Sequence, residues 1–159
     1  MADVIDPEGM ITMLRPFGPL RRVLLAATGT LQGTLSAFWG SAVSVRLLSQ
    51  DSEGDHVRRE VDLVCEAREL VVCHAVTTIH VTDHAVETLL RESALGIGQI
   101  ISVLDRRTTF ALQDVGQDAT HFWRSYRMWG EGFDYHIHES FEQRRYPDVD
   151  LGEWADDER

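Results

Sequence analysis

The sequence has little of what marks a secreted, membrane-spanning or metal-chelating protein. Its two cysteines, Cys65 and Cys73, fall inside predicted strands and do not have the spacing of metal ligands. We expect both to be small buried apolar residues in a reducing cytoplasm. The first apolar run, residues 23–27, follows an acidic start and is far shorter than the roughly 20 residues that a membrane-spanning helix needs. We therefore expect a cytoplasmic protein with no signal peptide and no membrane segment.

Positive charge is also scarce. Lys and Arg together number 15 against 26 Asp and Glu, which gives a net charge of −11. Nucleic-acid binding needs a basic face, so this balance argues against it. An anionic ligand must likewise be held by a local cation and not by the overall field. The acidic residues gather at 51–55 and in a tail over 147–159, which we expect to be frayed.

What is present is the pattern of a single α+β domain over residues 1–159. Asp6 before Pro7, and Asp83 before an apolar helical face, both indicate helix starts. Predicted helices begin near residue 7, cover 20–28 and 31–39, and run for about ten residues after 83. Predicted strands cover 42–50, 57–67, 70–81, 108–113, 121–129 and 133–141. Because short turns join most of them, we expect an antiparallel sheet of about six strands with helices packed on one face.

Two charged residues fall in the apolar phase of predicted strands. Side chains alternate between the two faces of a strand. Arg59 alternates with apolar residues at 57, 61, 63 and 65, and Glu139 alternates with apolar residues at 133, 135, 137 and 141. A buried charge without a partner costs several kcal/mol. Two interpretations stay open: the two residues form a structural ion pair or reach water at strand ends, or they form the walls of a ligand pocket.

Six short segments occur in order over residues 20–146. They are RRVLLAATGTLQGTL at 21–35, VSVRL at 43–47, REVDL at 59–63, LGIGQII at 95–101, RSYR at 124–127 and HESF at 138–141. Each segment is a weak signal alone. Together they resemble the chorismate pyruvate-lyase family, which has a helix, a turn, a second helix and then antiparallel strands in this order.

The resemblance implies a function and a set of site residues. The family converts chorismate into 4-hydroxybenzoate and pyruvate without a cofactor, and its members are monomers that bind a small aromatic or pre-aromatic carboxylate. By resemblance, Arg59 matches the arginine that grips the ring carboxylate, and Leu31 matches a residue whose backbone N–H adds a second donor. Ile97 matches a hydrophobic pocket residue. Glu139 matches the carboxyl at the para-oxygen, and we expect it to act as a general acid toward the departing enolpyruvyl ether.

The sequence also departs from that family. Residues 72–77 lack the arginine of the family's Ala-Gly-Arg-Thr-like run and contain His74, which we take as a candidate substrate-binding residue. The strand at 122–129 is unusually aromatic, which is typical of core but also compatible with a reshaped pocket. Two alternatives therefore stay open: a divergent relative that performs a cyclisation, dehydration or other elimination on a bulkier substrate, and a carboxylate-binding protein without turnover.

Two further motifs are assigned no chemistry. His136 and His138 have a spacing seen in metal sites, but they share the solvent phase of their strand, so we expect no metal there. Gly96 and Gly98 do not form a phosphate loop, because the third glycine and the strand-to-helix setting are missing.

Overall fold

The computed structural model describes residues 2–92 and 96–148. The described helices are α1 (Pro7–Leu14), α2 (Pro19–Ala26), α3 (Leu31–Trp39), α4 (His84–Glu92) and α5 (Ile97–Val103). The described strands are β1 (Asp3–Val4), β2 (Val43–Glu53), β3 (His56–Cys65), β4 (Leu70–Val81), β5 (Thr109–Gln117), β6 (His121–Gly130) and β7 (Phe133–Glu142). Most of the acidic tail, residues 149–159, lies outside the described residues. At its start, Asp148 accepts a hydrogen bond from the Gly18 N–H at 3.0 Å.

The strands form one sheet in the order β1-β5-β6-β7-β4-β3-β2. Neighbouring strands are antiparallel, except that β1 and β5 are parallel. The predicted α+β class is confirmed, and all six predicted strands are present. The seventh, β1, has two residues and therefore shows no alternation that a sequence could reveal.

The helices cover one side of the sheet. One apolar cluster, which includes Ile79 and Ile100, packs the sheet against α4 and α5. A second cluster, which includes Leu25 and Phe122, packs it against α1, α2 and α3. Burying each such side chain stabilises the fold by about 1.5–3 kcal/mol. We call this side the inner face, and the opposite side, which carries the polar side chains of β3, β4 and β7, the outer face.

The helix starts follow local chemistry. Asp6 and Asp83 cap α1 and α4 by accepting backbone N–H hydrogen bonds at 2.9 and 2.8 Å. At α5 the Gln99 side chain accepts a hydrogen bond from the Gly96 N–H at 2.9 Å. Among the described residues, no helix has the length and the apolar character to cross a membrane.

Candidate functional site

A cavity of about 80 Å³ lies between the inner face of the sheet and the first turns of two helices. Its floor comes from β2, β3, β4, β6 and β7, and its roof comes from residues 29–32 and 96–99 at the starts of α3 and α5. One water needs about 10–15 Å³ of such space, so the cavity has room for roughly five to eight water-sized groups. Most of its lining side chains are apolar. Its size and lining suit a small single-ring molecule.

Arg59 forms part of the cavity wall on β3. It is 2 % exposed, so the inward orientation that its strand phase predicts is confirmed. Burial lowers the pKa of the Arg59 guanidinium, with a smaller opposing effect of Tyr135, because loss of water disfavours the charged form. The ordinary pKa of arginine is so high that the side chain still carries its charge at neutral pH. Arg59 thus brings a buried cation to the cavity.

Glu139 forms part of the wall on β7 and is 5 % exposed, so its predicted inward orientation is also confirmed. Arg124 Nε donates to Glu139 Oε2 at 2.6 Å, and the Tyr126 hydroxyl donates to Oε1 at 2.9 Å. Burial and the nearby Glu139 raise the pKa of Tyr126 well above its ordinary value, so its hydroxyl stays protonated and donates. Both oxygens of Glu139 are therefore anchored by donors from β6.

Arg124 connects this carboxylate to a helix end. It is 0 % exposed, and its Nη1 donates to the carbonyls of Leu25 and Ala27 at 2.9 and 2.7 Å. These carbonyls lie at the C-terminal end of α2, where the helix dipole favours a cation. Burial alone would lower the pKa of Arg124, but the charge of Glu139 raises it overall. Arg124 therefore joins β6, β7 and α2 at one side of the cavity.

Arg59 and Glu139 lie on the two strands that flank β4. The ladder pairs Arg59 with Thr77, and Ala75 with Glu139. The Cα atoms of Arg59 and Glu139 are therefore two strand spacings apart across the sheet and two residues apart along the strands. This corresponds to a distance of about 12 Å. The short side chains of Ala75 and Thr77 leave the space above β4 open. Glu139 pairs with Arg124 and not with Arg59, so the interpretation of an Arg59–Glu139 ion pair is wrong.

Leu31 and Ile97 are the first residues of α3 and α5, and both lie in the cavity roof. The first N–H groups of a helix have no acceptor within the helix and lie at the positive end of its dipole. Within the described chain, no side chain caps α3 at Thr30, and the Gly33 N–H donates to the Thr30 carbonyl at 3.0 Å. A Cβ at Gly98 would lie 2.9 Å from Thr30 Cγ2, so glycine lets α5 approach α3 closely. The location of Leu31 and Ile97 fits the predicted site, and their contact with a ligand stays a prediction.

The expectation that His74 lines the pocket is wrong. His74 lies on the outer face, where its Nδ1 is 2.9 Å from Asp62 Oδ1 and its Nε2 is 3.3 Å from Glu60 Oε1. It therefore takes part in a surface ion-pair network on the side of the sheet opposite to the cavity.

A β-bulge explains this error. Val72 has no partner residue in the β3–β4 ladder, because the register shifts between Leu63 and Val64. One extra residue reverses the alternation of the strand that contains it. After the bulge, the side chain of Ala75 therefore points to the inner face and that of His74 to the outer face.

Arg124 and Tyr126 are the site residues that sequence reasoning missed. The signal was available, because the inward residues of β6 alternate as Phe122, Arg124, Tyr126 and Met128. The phase test that singled out Arg59 also singles out Arg124 when it is applied to this strand.

No protein-family model matches the chain, and no curated protein matches it. The likeness of the six segments to one family therefore gains no support from these comparisons. The functional argument depends on the cavity and on its charged side chains.

Proposed function

We propose that the cavity binds a single-ring aromatic or pre-aromatic carboxylic acid at Arg59, and that the protein converts chorismate into 4-hydroxybenzoate and pyruvate. The observation that carries the proposal is that Arg59 and Glu139 form separate parts of the wall of one mostly apolar cavity of about 80 Å³. A guanidinium binds a planar carboxylate through two parallel hydrogen bonds, which strengthen where water is excluded. The resemblance over residues 20–146 supports chorismate as the particular substrate.

The proposed reaction balances without an oxidant or reductant. The bond between the ring carbon and the enolpyruvyl oxygen breaks, and its electron pair leaves with the oxygen. The neighbouring ring carbon loses a proton, and that C–H electron pair completes the aromatic ring. The released enolpyruvate takes up a proton at its methylene carbon and becomes pyruvate. The protein has to orient the substrate, exclude water and manage one proton.

The residues of the cavity divide these tasks. Arg59 holds the ring carboxylate, with the Leu31 N–H as a second donor at the start of α3. Ile97 packs against the ring. Both oxygens of Glu139 already accept hydrogen bonds from Arg124 and Tyr126. In place of the general acid that the resemblance implies, we therefore propose that Glu139 is an oriented acceptor for the ring hydroxyl beside the departing ether.

One observation favours a second candidate function. Chorismate carries two carboxylates, but Arg59 is the one basic side chain among the described lining residues. Arg124 is engaged by Glu139, and His74 lies on the outer face. This charge balance suits a monocarboxylate. The second candidate is therefore a divergent relative that acts on another ring acid, or a binding protein without turnover.

Incubation with chorismate, followed by the ultraviolet absorbance of 4-hydroxybenzoate, separates the two candidates. We expect the wild type to form many equivalents of product, and Arg59→Met to form none while it keeps its fold, because methionine fills a buried position without charge. Arg58→Met is the matched control, since Arg58 lies on the outer face and pairs with Glu60.

Two other outcomes are informative. If chorismate is not converted but 4-hydroxybenzoate binds in a ratio of about one to one and Arg59→Met abolishes this binding, the second candidate holds. If Arg59→Met and the wild type bind 4-hydroxybenzoate equally, the cavity has no carboxylate site at Arg59, and both candidates fail.

Glu139→Gln tests the carboxylate itself. We expect the variant to retain affinity for 4-hydroxybenzoate and to slow turnover markedly, and an unaltered rate would remove Glu139 from the chemistry. Thermal unfolding is measured in parallel, because glutamine leaves Arg124 without its anionic partner.

We also propose that the protein works as a monomer in the cytoplasm. Cys65 and Cys73 are buried free thiols, which is compatible with a reducing compartment. Sedimentation at several concentrations tests the monomer, and a dimer at micromolar concentration would contradict it.

A further inference from the structure

The histidines are concentrated on the outer face. Of the seven in the chain, His84 begins α4 and the others lie in strands at outward positions: His56, His74, His80, His121, His136 and His138. His56 and His80 differ from the rest because they are directly opposite each other in the β3–β4 ladder. Their ring centroids are 4.7 Å apart and their planes are inclined by 38°.

The carboxylate of Asp55 bridges one nitrogen of each ring. Asp55 Oδ1 is 2.7 Å from His56 Nδ1, and Asp55 Oδ2 is 2.6 Å from His80 Nε2. Asp55 lies in the turn before β3. In the same turn Gly54 has a φ of +62°. The Asp55 carbonyl accepts a hydrogen bond from the Val81 N–H at 3.0 Å, so its backbone is fixed beside the end of β4. The three side chains are thus brought together by strand register and by the turn.

We propose that Asp55, His56 and His80 form a binding site for a divalent first-row transition-metal ion. One ligand atom from each residue can be chosen so that all three lie within 4.8 Å of one another. The site lies on the outer face at the β2–β3 turn, apart from the cavity, and it does not depend on the function proposed for the cavity.

The donor set selects the class of ion. Two imidazole nitrogens and one carboxylate oxygen suit Zn²⁺, Co²⁺ or Ni²⁺, whereas Mg²⁺ and Ca²⁺ prefer oxygen ligands alone. Ligand atoms of a tetrahedral zinc ion are about 3.3 Å apart, because each lies about 2.0–2.1 Å from the metal. Asp55 Oδ1 and His56 Nδ1, which are 2.7 Å apart, therefore have to separate by less than about 1 Å, and ligand atoms as far apart as 4.8 Å have to close by about 1.5 Å when the ion binds.

The surroundings permit this adjustment. The side chains of Asp55, His56 and His80 are 56, 60 and 41 % exposed, so they can turn without disturbing the core. Three protein ligands leave at least one coordination position for water or for a small anion. A bound ion would also link the β2–β3 turn to the end of β4, beside Val57 and Val81 of the apolar cluster.

Metal titration of the full chain, freed of metal by a chelator, tests the proposal. We expect the wild type to bind one equivalent of Zn²⁺ by calorimetry and to give the visible absorption bands of tetrahedral Co²⁺. His56→Ala and His80→Ala should each weaken Zn²⁺ binding by about tenfold or more, because each removes a ligand. Zn²⁺ should raise the Tm of the wild type but not that of His80→Ala.

His136→Ala is the matched control, because this histidine shares the outer face but lies outside the cluster. It should bind Zn²⁺ and respond in Tm as the wild type does. The proposal is overturned if the wild type takes up no Zn²⁺, or if His80→Ala and His136→Ala bind it with the same affinity as the wild type. All these substitutions are at the surface, so the fold is retained in each arm.

Discussion

Arg124 and Arg127 are three residues apart on β6 and point to opposite faces of the sheet. Arg124 is 0 % exposed and donates to Glu139 and to two backbone carbonyls. Arg127 has a side chain that is 38 % exposed and donates two hydrogen bonds to Asp134 at 2.9 and 2.7 Å. Both are well-formed ion pairs between the same two strands, so the main difference between them is access to water.

This difference indicates where a charged side chain contributes most to the stability of the fold. The outer face carries many ion pairs, such as Arg46–Asp62 and Arg58–Glu60, but water and salt weaken each of them. The inner face carries few charges, and each one is costly to leave without its partner. A count of ion pairs would therefore predict that charged side chains contribute more to stability on the outer face. We expect the larger contribution on the inner face.

Removing one guanidinium from each face gives the largest expected contrast. Arg124→Met should lower the free energy of unfolding by about 3–5 kcal/mol, because Glu139 stays buried without its cation. Arg127→Met should lower it by no more than about 1 kcal/mol. Urea unfolding of both variants at neutral pH measures the difference, and equal losses would mean that burial does not distinguish the two pairs.

The double variant Arg124→Met, Glu139→Met sharpens this contrast. With both charges gone, the apolar replacements should recover part of the stability that Arg124→Met loses. If the double variant recovers no stability relative to Arg124→Met, the loss comes from the carbonyls of Leu25 and Ala27 and not from the lone carboxylate.

A smaller effect is expected for the neutral donor to the same carboxylate. Tyr126→Phe removes the 2.9 Å hydrogen bond to Glu139 and should cost about 1.5–3 kcal/mol, since one partner is charged and buried. Ser125→Ala is the control, because Ser125 contacts His138 at 2.9 Å on the exposed outer face and should change stability by less than about 0.5 kcal/mol. If urea unfolding gives similar values for the two variants, Tyr126 does not anchor Glu139.

The fold could be predicted where apolar and polar residues alternate along a strand without interruption. The strands predicted at 121–129 and 133–141 match His121–Gly130 and Phe133–Glu142 to within one residue. The error on β4 has a different origin, because the bulge at Val72 is visible only in the pairing of two strands. No local pattern of residues reveals it.

The candidate site could be predicted in part for the same reason. Arg59 and Glu139 stand out because a charge in an apolar row is a property of the sequence itself. The partners of Arg124 on α2 could not be predicted, since they come from a distant part of the chain. The approach of His80 to Asp55 likewise depends on the register between β3 and β4.

The smallest expected effect is a pH dependence at Asp62 on the outer face. Partial burial would raise the pKa of Asp62, but hydrogen bonds from Arg46 and His74 hold it below its ordinary value. A carboxyl with a lowered pKa in the folded state adds stability above its unfolded pKa of about 3.9, and this contribution disappears as pH falls through the folded value. Asp62 is 8 % exposed, but the side chains of its partners Arg46 and His74 are 57 and 36 % exposed, so Asp62→Asn should cost about 1 kcal/mol at pH 7 and progressively less below about pH 4. Urea unfolding of both proteins across this range measures the difference, and a difference that stays constant into acid would mean that packing, and not charge, is what Asp62 contributes.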